Sequence, residues 1–65
     1  MIKTNELKGI IVAQGLTQKE VAQALGISPK TFYDKMKKGI FGSNEIEAMI
    51  NKLSINDPIK IFFAK

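Results

Sequence analysis

The side chains of this 65-residue chain that could do chemistry are mostly cations, and they are gathered in one place. Lys30, Lys35, Lys37 and Lys38 fall within nine residues, with Asp34 the single acid among them. An ammonium on a flexible stem binds anions as a point charge, and several together make a surface that attracts a polyanion. The whole chain agrees in sign: ten lysines stand against six acids, giving a net charge of +4 and a pI near 9.6. Arginine is absent, so the rigid guanidinium fork cannot be the anion ligand. A lysine-rich helix end is, however, more commonly a solvated terminus that compensates the helix dipole, so composition alone leaves both readings open. Histidine and cysteine are absent as well. Their absence removes the usual general base, thiolate chemistry, disulfides and the common zinc sites, and the isolated acids make no catalytic constellation. No enzyme, catalytic residue, metal, cofactor or small-molecule substrate is expected.

The elements that must position these lysines are specified by local signals. Thr17 followed three residues later by Glu20 is a capping box, which predicts a helix over about 18–25. Leu16 and Val21 stand where a hydrophobic staple would fix its start, and Val21, Ala22 and Leu25 form its apolar stripe. Gly26 supplies the positive φ of a sharp turn. Ser28 then reads as a second N-cap with Pro29 at N1, and Ile27 and Phe32 as a second staple, so a helix over about 29–38 follows at once. Ala22 faces the turn, where a small side chain lets the two helices cross closely. Phe32 and Met36 bury one side of the second helix and leave Pro29, Lys30, Tyr33, Asp34 and Lys37 on the other. Tyr33, off the apolar stripe, is expected to be exposed. Lys30 and Asp34 are four apart and can equally form an ordinary helix pair.

The remaining residues supply the support. Thr4 or Asn5 is expected to cap a first helix with Leu7, Ile10, Ile11 and Gln14 on its inner face, widened by Val12 and Ala13, and with Gly15 as its stop. Gly9 weakens that helix, and close approach of another helix would account for it. After the motif, residues 38–42 form a loop framed by Gly39 and Gly42, with Phe41 folded back on the core. Ser43 is expected to cap a fourth helix carrying Ile46, Met49, Ile50 and Leu53 at i, i+3, i+4 and i+7. Asp57 and Pro58 start a short fifth one with Ile59, Phe62 and Phe63. Closure of the core by both phenylalanines is favoured, with a dimer or partner surface at Ile59, Phe62 and Phe63 as the alternative. The fold class is therefore all-α, one domain over residues 1–65, a compact bundle of five short helices. The N-terminus lacks the apolar stretch of a signal peptide and no run reaches the length of a membrane span, so a cytoplasmic protein without a membrane partner is expected.

The run TQKEVAxxLGIS at 17–28 resembles the lambda-repressor-like (Cro and repressor, XRE-type) helix-turn-helix family. TFYDKMKKGxF at 31–41, EIExMIxxL at 45–53 and DPxxIFF at 57–63 are similar to its small phage and prophage regulators. The resemblance implies a lambda-repressor-like DNA-binding fold whose second motif helix enters the major groove of a double-stranded operator. It places base contacts on Ser28, Pro29, Lys30, Thr31, Tyr33 and Asp34, and phosphate contacts on Gln18, Lys19, Lys35, Lys37, Lys38 and Gly39. Lys30 would reach guanine O6 and N7, Asp34 would accept from a cytosine amine, and Pro29 would at most touch a thymine methyl while chiefly starting the helix. In the family the loop after this helix runs along phosphates through backbone N–H groups, which Gly39 would permit; stopping the helix is the equal alternative. A homodimer on DNA and a nucleoid-associated place in a bacterial host cell are likewise implied. The alternative function is a small protein-interaction module that binds another repressor.

Overall fold

A computed structural model describes residues 2–63 of the chain, and among them five helices and no strand are found. They are α1 (Thr4–Ala13), α2 (Gln18–Leu25), α3 (Pro29–Lys38), α4 (Ser43–Leu53) and α5 (Pro58–Phe62). The Cα radius of gyration is 10.5 Å. At the centre lies α2, packed against α1, α3 and α4, while α5 closes on α1. Leu7, Ile11, Val21, Phe32, Met49 and Leu53 are fully buried and form the inner core. Among the described residues, no helix is long and apolar enough to cross a membrane.

The two motif helices have the expected bounds because their ends are fixed by neighbouring side chains. The Thr17 N–H donates to Glu20 Oε1 at 2.9 Å and the Glu20 N–H to Thr17 Oγ1 at 3.2 Å, closing the capping box reciprocally. Gly26 takes a φ of 75° and ends α2, its N–H returning to Ala22 and Gln23 carbonyls. Ser28 Oγ accepts the Thr31 N–H at 3.1 Å, and Pro29 opens α3 with φ already suited to a helix. Ala22 is completely buried at the α2–α3 crossing, so a larger side chain would force the pair apart.

Elsewhere the ends differ from expectation, each for a tertiary reason. Neither Thr4 nor Asn5 caps α1: the cap position is Lys3, with no side-chain bond. Lys3 is held by its own N–H donating to the Ile61 carbonyl at 2.8 Å, so a contact with α5 sets where α1 begins. Gln14 is exposed instead of lining the core, and Val12 lies outside it too, 73% exposed, because Leu7 and Ile11 suffice to seat α1. The cap of α4 is Gly42 and not Ser43. The Glu45 carboxylate reaches back to the Gly42 N–H at 2.7 Å, which fixes the helix start one residue earlier. Of the two adjacent phenylalanines, Phe62 is buried and Phe63 is 60% exposed, so one ring and not both closes the core, with Ile61 buried beside it in sequence. Phe62 therefore offers nothing to a partner; Ile59 and Phe63, four apart, remain outside.

Gly9 is not at a helix contact, because a Cβ built there meets nothing within 4 Å. Gly9→Ala is expected to stabilise the domain by about 0.5–1 kcal/mol, from helix propensity alone. Thermal unfolding followed by circular dichroism should show a rise of several degrees; a fall would mean that a Cβ at this position does meet a neighbour in the folded domain.

Candidate nucleic-acid interface

The candidate surface is the outward side of α3. Phe32 and Met36 point inward, at 0% and 4% exposure, with the Phe41 ring 5.6 Å from that of Phe32. The opposite side carries Lys30, Tyr33, Asp34 and Lys37, which fall at i, i+3, i+4 and i+7 and so share one stripe. All four are exposed, and Tyr33 sits edge-on to Phe32 with half its surface in solvent, as expected for a ring with an apolar base and a free rim. Beside that stripe, Thr31, Asp34, Lys35, Lys38 and Ile40 line a shallow groove, with Ile40 67% exposed. Gln18, half-buried, and Lys19, exposed, lie at the start of α2, which packs on α3.

Electrostatics sort the lysines. Among the described residues the ion pairs are Lys3–Glu6 at 3.8 Å and Lys35–Glu45 at 3.0 Å. Lys30 and Asp34 thus do not pair with each other, and both present their charge outward. Lys37 and Lys38 are exposed at the negative end of the α3 dipole, where a cation is favoured whether or not an anion is bound. Lys35 is different: its ammonium is spent on Glu45, a largely buried carboxylate that also takes the Gly42 N–H. Burial pushes the Glu45 carboxyl up, but the Gly42 N–H and the adjacent Lys35 ammonium outweigh it and hold the group below its ordinary value.

Two expected contacts are corrected by this geometry, and a third residue, Ser28, has a structural duty besides. Lys35 is not a free phosphate ligand, since its charge is already matched. Gly39 cannot offer its N–H to a phosphate, because that N–H donates to the Lys35 carbonyl at 2.8 Å and the Met36 carbonyl at 3.2 Å, capping α3 with a φ of 70°. Ser28 works as a cap: its hydroxyl donates to Thr31 Oγ1 at 2.9 Å while accepting the Thr31 N–H. The hydroxyl proton left for an outside acceptor is that of Thr31. Pro29 is half-buried at the first turn, which agrees with its role in starting the helix. Two residues that matter here were not singled out in advance. Ile40 lines the groove, and Glu45 holds both the Lys35 ammonium and the Gly42 N–H; its spacing of three from Gly42 is a usable signal, its ten-residue reach to Lys35 is not.

Two short helices joined by a glycine turn, the second bearing a basic outward stripe on a packed all-helical support, define a helix-turn-helix domain of the DNA-binding type. Residues 12–39 match the family model described as bacterial regulatory protein, Fis family. The matched segment runs from the last turn of α1 through α2, the turn and α3 to its glycine cap. Over this segment, less than half of the chain, the sequence is similar to the helix-turn-helix of bacterial regulatory proteins. Comparison with curated proteins and with solved structures finds no match.

Proposed function

We propose that the protein is a sequence-specific regulator that lays α3 in the major groove of double-stranded DNA, and that it is a small phage or prophage repressor of the Cro type. The observation that carries the reading is the exposed stripe of Lys30, Tyr33, Asp34 and Lys37 backed by the fully buried Phe32 and the nearly buried Met36. A stripe held this way presents fixed donors and acceptors to base edges without first paying to order them. Lys30 then reads guanine O6 and N7, Asp34 accepts from a cytosine amine, and Thr31 and Tyr33 supply hydroxyls. Lys19, Lys37, Lys38 and the Gln18 amide meet phosphates on either side. The Cro-type assignment is supported by the TQKEVAxxLGIS run, whose capping box, glycine turn and Ser-Pro start occupy the motif itself. Two copies would read half-sites about 34 Å apart along the duplex. The role is binding and not catalysis, in the cytoplasm of a bacterial cell and close to its DNA.

The test is selection of bound sites from random duplexes with two variants. Lys30→Ala should relax the preference at one base position, at a cost of about 1–3 kcal/mol for the preferred site, whereas Lys37→Ala should weaken all sequences alike. Equal, unselective losses from both would remove Lys30 from the base-reading set.

A second reading has its own observation. Ile59 and Phe63 are 69% and 60% exposed on one side of α5, an apolar pair suited to another protein. Under that reading the protein modifies another repressor by binding it, and random duplex at low salt would not be shifted in a gel.

A further inference from the structure

Lys35 is the point where three elements meet. Its carbonyl accepts the N–H of Gly39 at 2.8 Å and of Ile40 at 3.1 Å, which turns the chain out of α3. Its ammonium donates to Glu45 Oε1 at 3.0 Å, on the first turn of α4. The same oxygen accepts the Gly42 N–H at 2.7 Å, on the far side of the turn. Gly42 has an ordinary φ of −68°, so its lack of a side chain has another cause. A Cβ there would stand 3.1 Å from Asn44 Oδ1 and 3.4 Å from Glu45 Oε1, closer than comfortable contact, and the glycine leaves room for the carboxylate to lie against the backbone. Between these two anchors, Phe41 is buried against Phe32.

We infer that Glu45 is a positioning residue for the DNA-facing surface: it withholds the Lys35 charge from phosphate and pins the 39–42 turn, so that Lys37, Lys38 and Ile40 stand in one place beside α3. The inference rests on the reading of α3 as the DNA helix. A lysine whose charge is matched inside the protein displaces no counterion from DNA, so the salt dependence of binding distinguishes it from a lysine that does. Lys35 therefore contributes nothing to the slope of the log association constant against log salt. Freed of its carboxylate, it would contribute like its neighbours.

The experiment measures that slope on one duplex for the wild type, Lys35→Met, Glu45→Gln and the double variant, with melting curves to show that each is folded. Glutamine keeps an acceptor for the Gly42 N–H and removes the charge, so it isolates the withholding role. Lys35→Met should leave the slope unchanged, Glu45→Gln should steepen it by about 1.8, about 0.9 for each of two bound copies, and the double variant should return it to the wild-type value. A slope flattened by about 1.8 in Lys35→Met, or an unmoved slope in Glu45→Gln, overturns the inference. The pinning role is read without DNA: amide hydrogen exchange at Gly42 should be slow in the wild type and at least tenfold faster in Glu45→Ala, and equal rates overturn it. If the wild type binds no duplex at all, the DNA reading fails and the withholding role falls with it, while the exchange rates still decide the clamp.

Discussion

Raising the salt from about 50 to about 200 mM should weaken binding to a duplex roughly a thousandfold. The figure follows from the lysines left free by the fold. Lys19, Lys37 and Lys38 are exposed and stand outside both ion pairs, so two copies on a two-half-site operator would neutralise about six phosphates, giving a log–log slope near −5. Had Lys35 also been a phosphate ligand, the same count would predict a slope nearer −7, so the measurement bears on the charge sorting as well as on binding. A titration by fluorescence anisotropy at four salt concentrations suffices. A slope near zero would mean that whatever holds DNA is not this basic surface.

The second large effect is on the support. Phe32 is fully buried under α3 and touches the Phe41 plug, so Phe32→Ala should cost about 3–5 kcal/mol. A domain of this size has a total stability of roughly 3–10 kcal/mol, so much or all of it would be lost. Urea unfolding at 25 °C should find the variant largely unfolded without denaturant, or with its midpoint moved far down. DNA binding should vanish with the fold, in contrast to Lys37→Ala, which should weaken binding and leave the midpoint alone. A Phe32→Ala protein that unfolds close to the wild-type midpoint would mean that the outward stripe is not held from beneath in this way.

How much of this could be read from the residues depended on how far apart the deciding groups were. The bounds of α2 and α3 were legible because each end is set within three or four residues: Thr17 with Glu20, Gly26 with its own helix, Ser28 with Thr31. The burial of Phe32 and Met36 and the exposure of Tyr33 followed from helical spacing alone. Where the deciding partner is distant, periodicity says nothing. Lys3 starts α1 because of Ile61, at the other end of the chain. Lys35 is lost to the interface because of Glu45, an acid that helix numbering could not place beside it. Gly39 is lost for a local reason that spacing did carry, since a glycine in the left-handed region at a helix end normally spends its N–H on the last carbonyls. Phe62 and Phe63 had to diverge on a helix, but which ring went inward depends on how α5 docks on α1, which spacing does not reveal.

That the outer stripe of α3 meets the duplex is tested most directly by mapping backbone amide shifts of 15N-labelled protein as a duplex carrying selected sites is added at low salt. Perturbations concentrated at Gln18, Lys30, Thr31, Tyr33, Asp34 and Lys37, with Ile59 and Phe63 unmoved or shifted only as a second copy joins, are the predicted result. Saturating DNA that leaves residues 30–37 unshifted would contradict it.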